Sequence, residues 1–259
     1  MIIILSPAKT LDFTPTLQSL FQSKPVFYKE ADYLATTLNS FTPDQLGKLM
    51  SISPKLAELT FDRYQKWNTK ETKSASKQAI FTYHGEAFEG LNAATFNDEE
   101  LTFAQQHLRV LSGLYGILSP LDLIRPHRLE MAARLKNRLG KDLYTFWRDK
   151  ITTQLKKELK RDKSTLKQSV LINLASNEYS SVIDLTKLNA RIITPVFKEY
   201  KDGEYAIVSF YAKRARGMMS RFIIQNGITD PEQMKLFDSE GYYYNDRLSE
   251  ADNWLFTRG

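Results

Sequence analysis

The chain has 259 residues, 42% of them apolar and 25% charged, a composition that suits one large globular domain or two small ones. The formal net charge of +6 favours polyanionic partners. The absence of cysteine excludes disulfides, thiolate catalysis and zinc–sulfur sites, and three scattered histidines predict neither a metal site nor a cofactor.

The first segment along the chain, Ile2–Leu5, is a short apolar run with three β-branched residues. It predicts a buried first strand. No basic region precedes it, and the run is too short for a signal peptide or a membrane span. We therefore expect a cytoplasmic protein with no membrane partner.

Three later runs have the same character, namely Ala79–Tyr83, Leu108–Leu111 and Val170–Leu174. Helix-like stretches separate them, which predicts crossover connections between parallel strands. The expected fold is mixed, between α/β and α+β, with a central, partly parallel sheet flanked by helices in a single domain over residues 1–259. The polar stretch Lys66–Lys77 predicts a loop.

The C-terminal part predicts a β-hairpin followed by a basic helix. The strands would be Ile192–Tyr200 and Tyr205–Phe210, because the intervening Asp-Gly pair supplies positive φ at low cost. The helix would cover Ala212–Gln225, where Asn226-Gly227 marks its end.

Residues 43–64 predict two short helices joined by a tight turn, each starting at a proline that follows a hydroxyl residue. This spacing resembles the helix-hairpin-helix element, in which turn amides hold a DNA phosphate and a nearby lysine adds charge. The corresponding residues are Lys48, Ser51, Ser53 and Lys55.

Two serines stand where that element usually carries glycines, which disfavours close approach of the backbone to phosphate. The alternative is an ordinary helical hairpin whose apolar residues pack into the core. Those residues are Leu46, Leu49, Ile52, Leu56 and Leu59.

Polar side chains cluster after three predicted strands, where ligands of open α/β sheets bind. We expect them to form one pocket for a phosphate-bearing or carboxylate ligand, although a network of ion pairs is the alternative interpretation. No nucleophile–base pair emerges, so no catalytic role is assigned. The pocket residues are Lys9, Tyr115, Asp122, Arg128, Glu130, Asn173 and Glu178.

Two stretches concentrate positive charge. The predicted last helix carries Lys213, Arg214, Arg216 and Arg221, a stripe that suits a DNA backbone, with a solvated helix face as the alternative. Arg134–Lys167 holds 12 lysines and arginines against 4 acidic residues, and its dense lysine run is typical of a solubilising helix end.

Taken together, seven motifs in order resemble the bacterial YaaA family, which is associated with resistance to peroxide stress. The motifs are Leu5–Thr10, Tyr83–Ala87, Leu111–Gly116, Arg128–Met131, Leu143–Trp147, Ile172–Ser176 and Ser209–Gly217. The resemblance implies a mixed α/β fold with a positive cleft and a helix-hairpin-helix element. It also implies binding to duplex or distorted (bulged) DNA and a role in limiting oxidative damage and free iron.

Three hypotheses follow. The first is a DNA-binding protein of the oxidative stress response that acts largely without sequence specificity. The second is an enzyme acting on a nucleotide, nucleobase or damaged DNA base in the strand-end pocket, with Glu130 or Glu178 as general acid or base and Tyr115 as a donor. The third is a non-catalytic binder of a small anion or an iron species.

Overall fold

A computed structural model describes residues 1–14, 21–68, 75–161 and 168–259. Its centre is an eight-stranded sheet flanked by helices. The strands are β1 (Ile2–Leu5), β2 (Thr10–Leu11), β3 (Lys77–Gln78), β4 (Tyr83–His84), β5 (Leu108–Ser112), β6 (Gly116–Leu118), β7 (Leu123–Ile124), β8 (Val170–Leu174), β9 (Arg191–Lys201), β10 (Glu204–Ala206), β11 (Tyr243–Tyr244) and β12 (Asn253–Arg258).

The α-helices range from single turns to a segment of 19 residues. They are α1 (Tyr28–Asn39), α2 (Pro43–Met50), α3 (Pro54–Gln65), α4 (Ala79–Thr82), α5 (Glu86–Leu91), α6 (Asp98–His107), α7 (Leu143–Arg161), α8 (Asn177–Ser180) and α9 (Ser209–Gln225).

The central sheet is mostly parallel, as the sequence predicts. Its order is β11-β12-β9-β8-β1-β5-β6, with β10 on β9, and the strands from β12 to β5 run parallel. The register places Ile4 opposite Arg109 on one side and Asn173 on the other. The predicted strands Ile2–Leu5, Leu108–Leu111 and Val170–Leu174 are confirmed, and they form the middle of this sheet.

The three middle strands are buried at every position, which explains why most of their residues are apolar. A strand covered on both faces needs apolar side chains on both, whereas a strand covered on one face alternates. The longer β9 alternates between buried and partly exposed residues along its first half. The pattern of apolar residues in each strand therefore indicates whether one or both of its faces are covered.

The predicted strand Ala79–Tyr83 is wrong. Ala79–Thr82 forms the one-turn helix α4, and short strands lie on either side of it. The amides of Ala79 and Ile80 donate to the carbonyls of Asp122 and Pro120, at 2.9 Å in each case. A short apolar run serves a buried helical turn as well as a buried strand, and here these tertiary hydrogen bonds decide the backbone conformation.

Helices α2 and α3 lie on either side of a three-residue turn. A capping box between Thr42 and Gln45 begins α2, and Ser51 ends it in the left-handed conformation at φ 52°. The predicted loop Lys66–Lys77 lies partly outside the described residues. At its start Trp67 is buried, with the Arg125 guanidinium 5.1 Å from its ring.

In the C-terminal part, β9 pairs antiparallel with β10, and Asp202 and Gly203 take positive φ between them. The second predicted strand is too long, because β10 ends at Ala206 and α9 already begins at Ser209.

Along the described part of the chain, none of the helices combines the length and apolar character needed to cross a membrane.

Candidate functional site

A large cleft lies at the carboxyl ends of β1 and β8. After β1 the chain crosses to β5 on one side, and after β8 it crosses to β9 on the other, so the two strand ends diverge at a topological switch point. Open α/β sheets bind their ligands in such crevices. The cleft has a volume of about 740 Å³, within the range of small-molecule sites.

Two serines join the strand ends at the floor of this cleft. The Ser6 hydroxyl donates to Ser176 Oγ at 3.2 Å, and it accepts from the Ser176 amide at 2.8 Å. These bonds bridge 170 positions of sequence and hold the turn after β1 against the start of α8. The motifs Leu5–Thr10 and Ile172–Ser176 therefore meet at one place.

The opposite wall is a close crossing of α5 and α9. A Cβ at Gly217 would lie 1.8 Å from the carbonyl oxygen of Ala87, and a Cβ at Gly90 would lie 2.2 Å from that of Arg214. Only glycine allows the two backbones to approach this closely. Lys213 and Arg216 of α9 line the cleft together with Lys9.

Arg216 is the most unusual cation of this wall. It is partly buried, and within the described residues its guanidinium has no carboxylate partner. Burial lowers its pKa, yet a guanidinium stays protonated at any physiological pH. A buried charge without a partner carries a desolvation cost, which a bound anion would offset.

The turn after β1 belongs to an ion-pair cluster. Glu130 accepts from Arg128 Nη2 at 2.6 Å and pairs with Lys9 Nζ at 3.1 Å. Lys9 is the exposed member, and its side chain also lines the cleft. Of the predicted pocket residues, Lys9, Arg128 and Glu130 thus come together, and Glu178 lines the neighbouring cleft.

A small recess extends from the cleft beneath these ion pairs. It has room for about 20 Å³ and shares Pro7, Ala8, Lys9 and Tyr179 with the cleft. Tyr83 and His127 contribute to its lining. Burial lowers the pKa of His127 to about 4, so its imidazole is neutral at physiological pH.

Two carboxylates and a histidine also line the cleft. Glu86 and His84 enter from the segment after α4, and Glu178 enters from α8. Glu178 Oε1 accepts from the Ala132 amide at 3.3 Å, which fixes one of its oxygens. The cleft therefore presents cations, carboxylates and an imidazole to a single volume.

Three predicted pocket residues do not reach the cleft. Tyr115 is fully buried, and its hydroxyl accepts from the Arg125 amide at 3.0 Å. Asp122 accepts from the Ser23 hydroxyl and the Ser119 amide, and burial raises its pKa. Asn173 accepts from the backbone two residues later. The polar groups of these three residues satisfy buried backbone and hydroxyl groups instead.

The glycines of the motif after β5 have packing roles. A Cβ at Gly113 would lie 2.3 Å from the Leu129 carbonyl oxygen. Gly116, at φ 71°, lies under the Trp147 ring. This close packing brings the 128–130 segment to the end of β5, where it forms the recess.

The basic residues of α9 have different surroundings. The Arg214 guanidinium pairs with Glu240 at 2.9 Å, and Arg221 donates to the carbonyls of Leu91 and Asn92 at the end of α5. Arg214 and Arg221 therefore connect α9 to neighbouring segments of the fold. Lys213, in contrast, is exposed and lines the cleft with Arg216.

The predicted residues of the α2–α3 turn, namely Lys48, Ser51, Ser53 and Lys55, are all exposed. Of the apolar residues in the alternative interpretation, Leu46 is fully buried but Leu59 is 46% exposed.

The lysine run lies at the end of α7, where Lys156, Lys157 and Lys160 line a shallow crevice. Lys163 lies outside the described residues. In the described ranges, no three His, Asp or Glu side chains group in a way that could hold a metal ion.

Comparison with known proteins places this architecture in a family. A family model described as peroxide stress protein YaaA matches residues 1–248. The chain belongs to this family. UPF0246 proteins of Teredinibacter turnerae and Ralstonia nicotianae are each 48% identical to it, and that of Saccharophagus degradans is 46% identical. Each match covers 100% of this chain and 99% of the relative.

Sequence reasoning missed Tyr83, His84 and Glu86 as site residues. All three lie in the Tyr83–Ala87 motif on which the family resemblance partly depends, so the motif itself was the available signal. Interpreting the preceding residues as a strand obscured it. Because α4 is a helical turn, the chain arrives at the cleft from another direction and presents this motif to its wall.

Proposed function

We propose that this member of the peroxide stress family binds DNA, largely without sequence specificity, and that Arg216 and Lys213 hold a backbone phosphate at the cleft. The observation that carries the proposal is the partly buried Arg216 guanidinium, which has no carboxylate partner within the described residues and lines an open cleft. Arginine binds phosphate through charge-assisted hydrogen bonds, often two at once.

The α2–α3 turn supplies a second contact in this proposal. Lys48 and Lys55 are exposed on either side of the turn, as the helix-hairpin-helix interpretation requires. The left-handed Ser51 gives the turn the backbone shape that a glycine usually provides. Phosphate contacts of this kind position a protein on DNA without reading its sequence.

In this role the protein limits oxidative damage to DNA during peroxide stress. A role in limiting free iron, which the family resemblance also implies, stays a separate prediction that none of these contacts addresses.

The test is fluorescence anisotropy with labelled duplex, bulged and single-stranded DNA across a salt series. Arg216→Gln is compared with Arg247→Gln, which removes the same charge from an exposed position outside the cleft. We expect Arg216→Gln to weaken binding about tenfold on all sequences and to reduce the salt slope by about 1. Lys48→Gln and Lys55→Gln should each lower the slope as well.

Equal losses for Arg216→Gln and Arg247→Gln would show that the cleft is not the phosphate site. Binding that does not change with salt would contradict the proposal as a whole, because phosphate neutralisation releases counterions.

A second function is favoured by the carboxylates and imidazole that line the same cleft, namely an enzyme acting on a nucleotide, nucleobase or damaged base. In that case Glu178 is the general acid or base, since Tyr115 is buried in the core and Glu130 is paired with two cations. Glu178→Gln that folds and binds DNA normally but fails to restore peroxide resistance in cells would support catalysis. Full restoration would exclude Glu178 from this role.

A further inference from the structure

The recess beside the cleft contains two buried polar atoms without hydrogen-bond partners among the described residues. They are the hydroxyl of Tyr83, a residue only 5% exposed, and Nε of Arg128. Groups like these nearly always have a partner, and leaving them unpaired is costly. Both residues line the recess.

A group that satisfies both atoms is a hydrogen-bond acceptor. A guanidinium nitrogen can only donate, and a tyrosine hydroxyl also has a proton to donate. Ser112 Oγ accepts from the Tyr115 amide and Glu130 is paired with Lys9 and Arg128, and neither is within hydrogen-bond geometry of Tyr83 Oη or Arg128 Nε. Burial also raises the pKa of Tyr83, which keeps its proton in place.

The size of the recess limits what that acceptor is. A volume of about 20 Å³ accommodates about one oxygen atom, of a water or of a larger ligand. A ligand that reaches in from the cleft can therefore insert one carbonyl oxygen there and leave its remaining atoms outside.

The recess opens beside the cation wall of the cleft. Pro7, Ala8, Lys9 and Tyr179 line both spaces, and Arg216 and Lys213 lie on the cleft side. A molecule that bridges the two spaces carries a hydrogen-bond acceptor, such as a carbonyl oxygen, at one end and an anionic group at the other. A nucleotide with an oxo-substituted base has both features, and the cleft is large enough to hold one.

We propose that the recess binds the carbonyl oxygen of an oxo-substituted nucleobase through Tyr83 Oη and Arg128 Nε, while the phosphate of the same nucleotide lies at Arg216 and Lys213. The phosphate part of this inference rests on the proposed function. The carbonyl part rests on the two unpartnered groups alone. These two contacts distinguish a base with an oxo group from one with an amino group at that position. An amino group is itself a hydrogen-bond donor, so it cannot accept from Tyr83 Oη and Arg128 Nε.

The test uses deoxyinosine and deoxyadenosine monophosphates, whose bases carry an oxo and an amino group respectively at the same carbon. Titration calorimetry measures the affinity of each nucleotide for the native chain and for the variants Tyr83→Phe, Arg216→Gln and Tyr242→Phe. The last is the matched control, because it removes the hydroxyl of another buried tyrosine, one that lines neither space.

We expect the native chain and Tyr242→Phe to bind deoxyinosine monophosphate about tenfold more tightly than its amino counterpart. Tyr83→Phe should lose most of this preference, and Arg216→Gln should weaken both ligands equally. Equal affinity of the native chain for the two ligands, or a preference that Tyr83→Phe retains, would overturn the proposal and leave a bound water as the occupant.

The two proposals can fail separately. If neither mononucleotide binds while DNA still requires Arg216, the recess inference is wrong and the phosphate site stands. If the oxo preference depends on Tyr83 but Arg216→Gln changes neither ligand nor DNA binding, the proposed phosphate site is wrong and the recess stands.

Discussion

Replacing Gly217 with alanine tests the helix crossing on which the cleft depends. The added Cβ would lie 1.8 Å from the Ala87 carbonyl oxygen and 2.9 Å from the Leu91 amide nitrogen, where ordinary contact begins near 3.4 Å. The obstacle is backbone, which no rotamer change can move aside. Helices α5 and α9 must therefore separate by well over an ångström.

The magnitude follows from two opposing effects. Alanine in a helix interior is favoured over glycine by about 1 kcal/mol. Overpacking costs about 1–3 kcal/mol, and a clash with backbone belongs at the upper end. We expect Gly217→Ala to lower the free energy of unfolding by about 2 kcal/mol, measured by urea denaturation followed by circular dichroism. The separation also displaces Arg216, so DNA affinity should fall at temperatures where the variant is folded.

Gly47→Ala is the matched control. Gly47 is also inside a helix, but its added Cβ would meet Ala57 Cβ at 3.6 Å and Ile52 O at 3.7 Å, both ordinary contacts. This variant should be as stable as the native protein or more stable by up to about 1 kcal/mol. If Gly217→Ala proved as stable as Gly47→Ala, the close crossing would not exist in solution.

Three further outcomes follow from buried polar groups. In urea titrations, Tyr83→Phe should leave the free energy of unfolding unchanged or raise it by up to about 1 kcal/mol. Tyr64→Phe loses a hydrogen bond to the Arg128 carbonyl and should lower the free energy of unfolding by about 1–2 kcal/mol. The folded pKa of His127, about 4 against 6.5 unfolded, means that only the unfolded chain takes up its proton between these values, so stability is lost as pH falls through that window. The loss approaches about 3 kcal/mol, and His127→Gln should abolish it in unfolding measurements at pH 7.5 and 4.5. Arg125→Met should destabilise the fold by about 2 kcal/mol or more by thermal unfolding, because its buried guanidinium donates to Trp67 O and Tyr28 Oη; an unchanged midpoint would contradict this assignment.

Part of the fold and site was predictable. The strands β1, β5 and β8 consist mostly of apolar residues because they are buried on both faces, so their own residues indicate that burial. Their carboxyl ends predict where ligands bind, and Lys9 and Glu178 do line the cleft there. The YaaA family, too, was predictable from motifs spread along the chain.

The surroundings of the site's polar side chains depend on partners that are remote in sequence. Arg214, Arg216 and Arg221 share one helix, and nothing in its sequence indicates that Arg214 pairs with Glu240 and Arg221 with α5 carbonyls while Arg216 meets neither. The cost of leaving a buried polar group unpaired acts over the assembled fold. The local sequence therefore indicates which strands are buried, whereas only the tertiary structure decides which polar groups are satisfied and which remain available to a ligand.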